Sequence, residues 1–155
     1  VIAVAGSVGK SSTKTAIGVA LGAGEPGSSV VASDKNYNNE LGVPLTVFGC
    51  DAPNRSLIRW LTLLSKAWLT SVGLMKLRAT VFVIEMATDK PGDLAYLLSI
   101  APPTISVLTA IGAEHTEYFG TVDAVAKEEA TVLDVLSEDG TAIVNADDAR
   151  VQAAA

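Results

Sequence analysis

Histidine and cysteine are nearly missing from this chain: His115 and Cys50 are the single examples among 155 residues. One thiol excludes a disulfide framework, and one thiol with one imidazole excludes a Cys/His zinc cluster. A reducing, cytoplasmic setting follows. Positive charge is also scarce, with 11 Lys and Arg against 17 Asp and Glu, a net charge of −6 and a pI near 4.6. Such a balance argues against general affinity for nucleic acid. There is no internal repeat, low-complexity tract, initiator methionine or signal peptide. The first residues read as the inside of a strand and Val151–Ala155 as a helix cut short, so a fragment of a longer protein is expected. What the chain does have is 49% hydrophobic and 18% charged residues, enough for one domain with a real core.

The most informative stretch is the first. Val1 to Ala5 is a run of strand formers that empties into Gly6-Ser7-Val8-Gly9, and Lys10-Ser11-Ser12 opens a helix expected to reach about Leu21. Gly6 and Gly9 let the backbone curl with its N–H groups inward, and the helix start adds partial positive charge. In such a loop Lys10 reaches the outer phosphates of a nucleotide and the Ser11 hydroxyl a Mg²⁺ ion. The glycine usual five positions before Gly9 is Val4 here, so the loop is a shortened one.

Further on, Gly22 to Ser29 is a turn region and Ser29–Ala32 a short buried strand. The polar segment from Ser33 to Thr46, with Asn36, Asn38 and Asn39, fits either turn chemistry or ligand contact at a strand tip. Ala79–Ile84 reads as a central parallel strand ending in Glu85, and Pro91 as the start of a helix with Asp93 in its first turn. Thr104–Leu108 is the next strand, followed by a loop from Gly112 to Gly120 that carries His115. A helix from Thr121 to about Ser137 and a strand Thr141–Val144, ending at Asn145, complete the pattern. Strands alternating with helices predict an α/β fold, a mostly parallel sheet with helices on both faces.

Leu57 to Met75 has helical periodicity, with Leu57, Trp60, Leu61, Leu64, Trp68, Val72 and Met75 on one side. Both tryptophans lie in it. Between Arg55 and Arg78 stand five basic residues and no acid, and setting those five aside from a net −6 leaves −11 on the rest. The stretch is too charged to span a membrane. It fits packing against the sheet or another domain, or contact between residues 57–75 and an anionic membrane surface.

Three strand tips thus open on one edge of the sheet: the phosphate loop, Glu85 and the His115 loop. A carboxylate and an imidazole beside a phosphate loop suit Mg²⁺-ATP chemistry. Gly6-Ser7-Val8-Gly9-Lys10-Ser11, Asn38 to Thr46, Glu85 with Pro91-Gly92-Asp93, and His115 to Gly120 together resemble the Mur ligases of peptidoglycan synthesis. The resemblance is nearest to the branch that adds D-alanyl-D-alanine. It runs from Val1 to about Arg150 and implies a P-loop NTPase-like central ATPase domain, incomplete here, without the family's N-terminal UDP-binding and C-terminal domains.

It also implies an ATP-dependent amide ligase acting through an acyl phosphate on UDP-N-acetylmuramoyl-tripeptide and D-alanyl-D-alanine. By the same resemblance Gly6 to Ser12 bind the nucleotide, Ser11 and Glu85 one Mg²⁺, and His115 a second. Asn38 and Asn39 face the UDP-sugar peptide, and Asn145 lies near the adenine. Another ligase of the superfamily, such as a folylpolyglutamate synthase, or a non-catalytic nucleotide-binding module are the alternatives.

One departure stands out. The family's carbamylated lysine lies fourteen residues after the metal-binding histidine, where this chain has Glu129; Lys127 is twelve after. On the helical wheel Glu129 falls in the inward stripe of Val122, Val125, Ala126, Val132, Leu133 and Leu136, whereas Lys127 faces outward. A buried carboxylate there needs a cation or a proton, unless the stripe frays and Glu129 reaches water. The expectation is that Glu129 replaces the carbamate as a catalytic and metal-binding group.

Overall fold

The computed structural model describes residues 1–34, 37–114 and 116–155. Strands β1 (Ile2–Ala5), β2 (Val30–Ala32), β3 (Val81–Glu85), β4 (Ile105–Leu108) and β5 (Thr141–Val144) form one sheet in the order β2-β3-β1-β4-β5. Every neighbouring pair is parallel. The helices are α1 (Lys10–Ala20), α2 (Gly42–Phe48), α3 (Leu57–Ser71), α4 (Asp93–Ile100), α5 (Thr116–Phe119), α6 (Val122–Asp134) and α7 (Ala149–Ala154). The expected α/β architecture is therefore present.

Alternation along β1 sorts the core. Ile2 and Val4 pack with Val83, Val107 and Ile17 of α1 on one face. Ala3 and Ala5 turn to the other face, where Val43 of α2, Leu94 and Leu98 of α4, Val132 of α6 and Val151 of α7 close over the sheet. Register brings Val4 level with Glu85 and Ala5 level with Leu108, so the tips of β3, β1 and β4 end side by side.

Several elements differ from the sequence expectation. β2 is half-buried, not buried, because it forms one edge of the sheet. Part of the expected loop after it is helix: α2 begins at Gly42, despite Gly42 and Pro44. Proline is tolerated in a first turn, where its missing N–H has no partner to lose. Gly42 is required because a Cβ there would run into the backbone of Tyr37. α4 begins at Asp93, after Pro91 and a Gly92 cap, since the Glu128 carboxylate accepts from Gly92 N and Leu94 N, both at 3.0 Å. α6 begins at Val122, with Thr121 as its cap, and stops at Asp134, short of the expected Ser137. α3 ends at Ser71, short of Met75, and buries none of its residues; it packs on α2, not on the sheet.

Candidate functional site

The turn after β1 is shaped by its neighbour β4. Gly6 has φ 119°, and a Cβ there would strike Thr109 Oγ1 and lie 3.0 Å from Ala110 O, so only glycine fits this crossing. The loop's N–H groups are not all directed as the sequence suggested. Gly6 N donates to Glu129 Oε2 at 2.7 Å, and Ser7 N and Val8 N donate to Ala110 O at 2.7 and 3.4 Å. The expectation of inward N–H groups is thereby corrected for Gly6, Ser7 and Val8: two neighbouring elements claim them. Intrahelical bonding begins with Thr13 N to Gly9 O, which leaves the N–H groups of Lys10, Ser11 and Ser12 at the start of α1 as the donors for an anion. Lys10 Nζ folds back on Gly6 O and Ser7 O and stands 3.8 Å from Glu114 Oε2.

Glu85 sits at the tip of β3, 4% exposed. Its backbone N donates to Ser33 Oγ, and its Oε1 accepts from Asn38 Nδ2 at 3.3 Å. Its Oε2 is buried and accepts no hydrogen bond from the described residues. Among the described residues its ion-pair partner is Lys14 Nζ at 3.7 Å, a Coulombic contact with both side chains buried. Lys14 was not singled out from the sequence, although it follows Lys10 by one helical turn. With Ser11, Ser33 and Asp34 it lines a cavity of ≈ 680 Å³.

On the far side of the loop, Val8, Gly9, Thr13, Thr109 and Asn145 line a second cavity of ≈ 350 Å³. Asn145 therefore stands beside the phosphate loop, with its Oδ1 already accepting from Asp147 N. Asn39 uses its side chain in turn chemistry, accepting from Leu41 N and Gly42 N at the start of α2. Asn38 is the member of that pair that touches a site residue. His115 and Asn36 lie outside the described residues.

Glu129 is 3% exposed in the middle of α6, as the wheel predicts, and Lys127 faces outward. Burial raises its pKa above the ordinary carboxylate value, while the Lys10 charge and the Gly6 N–H pull it down and the charges of Glu114 and Glu128 push it up. Asp148 was also missed by sequence reasoning. Its carboxylate accepts from Ile111 N, Arg150 N and Val151 N, which pins the loop after β4 to the start of α7 and lowers its pKa.

Among the described residues no group of three or more His, Cys, Asp or Glu forms a ready metal cage. The residues nevertheless suit Mg²⁺, a hard cation that keeps several waters and takes one or two carboxylates with phosphate oxygens. Glu85 Oε2, buried beside the phosphate loop with Lys14 as its ion-pair partner and no hydrogen bond from the described residues, is an anionic oxygen of that kind.

Loop, carboxylate and parallel sheet together define a phosphate-loop α/β domain with its site at the C-terminal strand edge. The chain belongs to the Mur ligase middle domain family, whose model matches residues 68–155. It is 33% identical over its full length to the UDP-N-acetylmuramoyl-tripeptide--D-alanyl-D-alanine ligase of Mycobacterium leprae, and covers 25% of that protein. The ligase of the same description from Bacillus subtilis is 29% identical over 98% of the chain, which covers 27% of it. The chain thus spans about a quarter of the length of these relatives. The crystal structure of MurF ligase from Thermotoga maritima in complex with ADP superposes with a TM-score of 0.71 at 28% identity, over 98% of this chain and 29% of that one. MurF from Acinetobacter baumannii, 24% identical and matched over 99% of this chain and 28% of its own, has the same fold with a TM-score of 0.71.

Proposed function

We propose that this chain is the nucleotide-handling part of a cytoplasmic ATP-dependent amide ligase, one that joins D-alanyl-D-alanine to UDP-N-acetylmuramoyl-tripeptide for the cell wall. On this reading it is part of a central ATP-binding domain, and the longer protein carries the domains that hold the UDP group and bring the amine. The observation that carries the reading is the buried Glu85 carboxylate one strand away from the phosphate loop, with an oxygen that takes no hydrogen bond from the described residues.

In the first step a carboxylate oxygen of the tripeptide bonds to the γ-phosphorus of ATP as the bridging bond to ADP breaks. In the second the amine nitrogen attacks the acyl carbon, a C–N bond forms, phosphate leaves and the amine gives up a proton. Phosphoryl transfer needs mainly positioning and charge neutralisation. Lys10 would swing from Gly6 O and Ser7 O to the β- and γ-phosphates, and the N–H groups of Lys10 to Ser12 would hold phosphate oxygens. Ser11 and Glu85 would hold one Mg²⁺, with His115 and Glu129 at a second; bound Mg²⁺ would neutralise charge on the transferring phosphoryl group. Asn38, through Glu85, would link the UDP-sugar peptide side to the metal side, with Asn39 shaping that loop, and Asn145 would stand by the adenine. The basic helix α3 is the part of the surface that would meet an anionic membrane.

The test is ADP release by the full-length protein with UDP-N-acetylmuramoyl-tripeptide. Turnover should require D-alanyl-D-alanine and disappear in Lys10→Ala while the variant stays folded. Turnover with single amino acids instead would make it a different ligase of the superfamily. ADP binding without any amide formation would make it a non-catalytic nucleotide-binding module.

A further inference from the structure

α3 is an amphipathic helix that meets α2 along one side of its apolar arc and leaves the rest of that arc exposed. Leu57, Ile58, Leu61, Leu64 and Trp68 are between 55% and 76% exposed, and no residue of the helix is buried. The inner side, with Trp60 and Leu63, faces α2 across an apolar cavity of ≈ 550 Å³, so the exposed arc continues into an apolar groove. Contiguous apolar surface of this kind marks an interaction face. The helix is too short to cross a bilayer, and no described helix qualifies as a membrane span.

Charge selects the partner. Arg55 before the helix and Lys76 and Arg78 after it are exposed, and none of the three makes an ion pair with a described residue. No acid lies between residues 52 and 84, although the chain as a whole is at −6. Arg59 and Lys66 point elsewhere, towards a pocket with Cys50 and Asp51, so the cations that count are those at the two ends of the apolar arc. An apolar stripe carrying an outward tryptophan and bracketed by unpaired cations matches the layout of an interfacial helix. Tryptophan favours the headgroup level, and end cations reach lipid phosphates while their stems lie along apolar surface.

We propose that α3 docks this protein on an anionic phospholipid surface, with the Leu57–Trp68 arc seated at the headgroup–acyl boundary and Arg55, Lys76 and Arg78 on lipid phosphates. The contact is independent of ligase chemistry, so it stands or falls separately from the proposed activity.

The experiment is co-sedimentation of the full-length protein with phosphatidylcholine vesicles, with and without about one third phosphatidylglycerol. Binding should require phosphatidylglycerol and weaken with salt. Each of Arg55→Gln and Arg78→Gln should lower the partition coefficient about fivefold. Trp68→Glu should abolish it, while ADP affinity stays as in the wild type and shows that the fold is intact. No binding at low salt, equal binding to both vesicles, or unchanged binding of the arginine variants would overturn the proposal. Protection of α3 from hydrogen exchange without vesicles would assign its arc to another domain of the same protein instead.

Discussion

Glu129 and Lys14 are two buried ionisable side chains in contact with the candidate site, and each meets a different partner there. Glu129 spends one oxygen on the Gly6 N–H, within the field of Lys10. On the proposed reading Glu129 stands in for the carbamate, at a position against the phosphate loop. Bicarbonate should therefore not stimulate the full-length enzyme, and Glu129→Gln should weaken Mg²⁺ dependence far more than Lys127→Ala. Activity that is lost in CO₂-free buffer and restored by bicarbonate would show that a lysine carries the carbamate after all.

Lys14 faces Glu85 at 3.7 Å, and both side chains are buried. Removing one member of a buried pair leaves the other uncompensated, at a cost of about 3–5 kcal/mol. Lys14→Met should lower the melting temperature, and Mg·ADP should then raise it by more than in the wild type, because the metal replaces the lost cation at Glu85. An equal Mg·ADP shift in both proteins would separate Lys14 from the metal site. The placement of Glu129 was legible in the sequence, because one apolar stripe on a 13-residue helix fixes which side turns inward. The role of Lys14 was not, since the four-residue step from Lys10 says nothing of what α1 packs against.

At the scale of elements, the ends of helices do most of the positioning. The Glu128 carboxylate caps α4 from another helix, and Asp148 caps α7 while holding the Ile111 N–H. The folded-state pKa of Asp148 lies below the ordinary 3.8, so its stabilisation is present above 3.8 and is lost as pH falls through the folded value. Asp148→Asn should therefore flatten the acid limb of the unfolding curve and leave the difference from wild type constant above about pH 5. A difference that grows towards neutral pH would contradict this. Strands and long helices were readable because period and composition agree. α2 was not readable, because Gly42 and Pro44 argue against a helix until Tyr37 is seen to need the space of the one and the first turn to tolerate the other. The capping carboxylates act across 34 to 37 residues of chain, a distance at which no local pattern speaks.

Across the whole molecule, the order of the strands decides what lies near what. The sequence announces a parallel sheet, yet only the pairing of β1 with both β3 and β4 explains why Glu85 and the loop after β4 flank the phosphate loop. The surface charge is equally uneven, with cations gathered around one helix of an acidic chain. The central place of β1 also has a consequence for synthesis. Ile2 pairs with Val83 on one side and Ile105 on the other, so β1, made before β3 and β4, waits for both of its partners. At about 5–20 residues per second, roughly 5–20 s pass before β4 has been made. During that interval a four-residue apolar strand and the glycine loop behind it have no sheet to join. Pairings this far apart in the chain form slowly and leave strand edges open. The segment proposed to bind phosphate is thus the one left longest without its sheet partners while the chain is made.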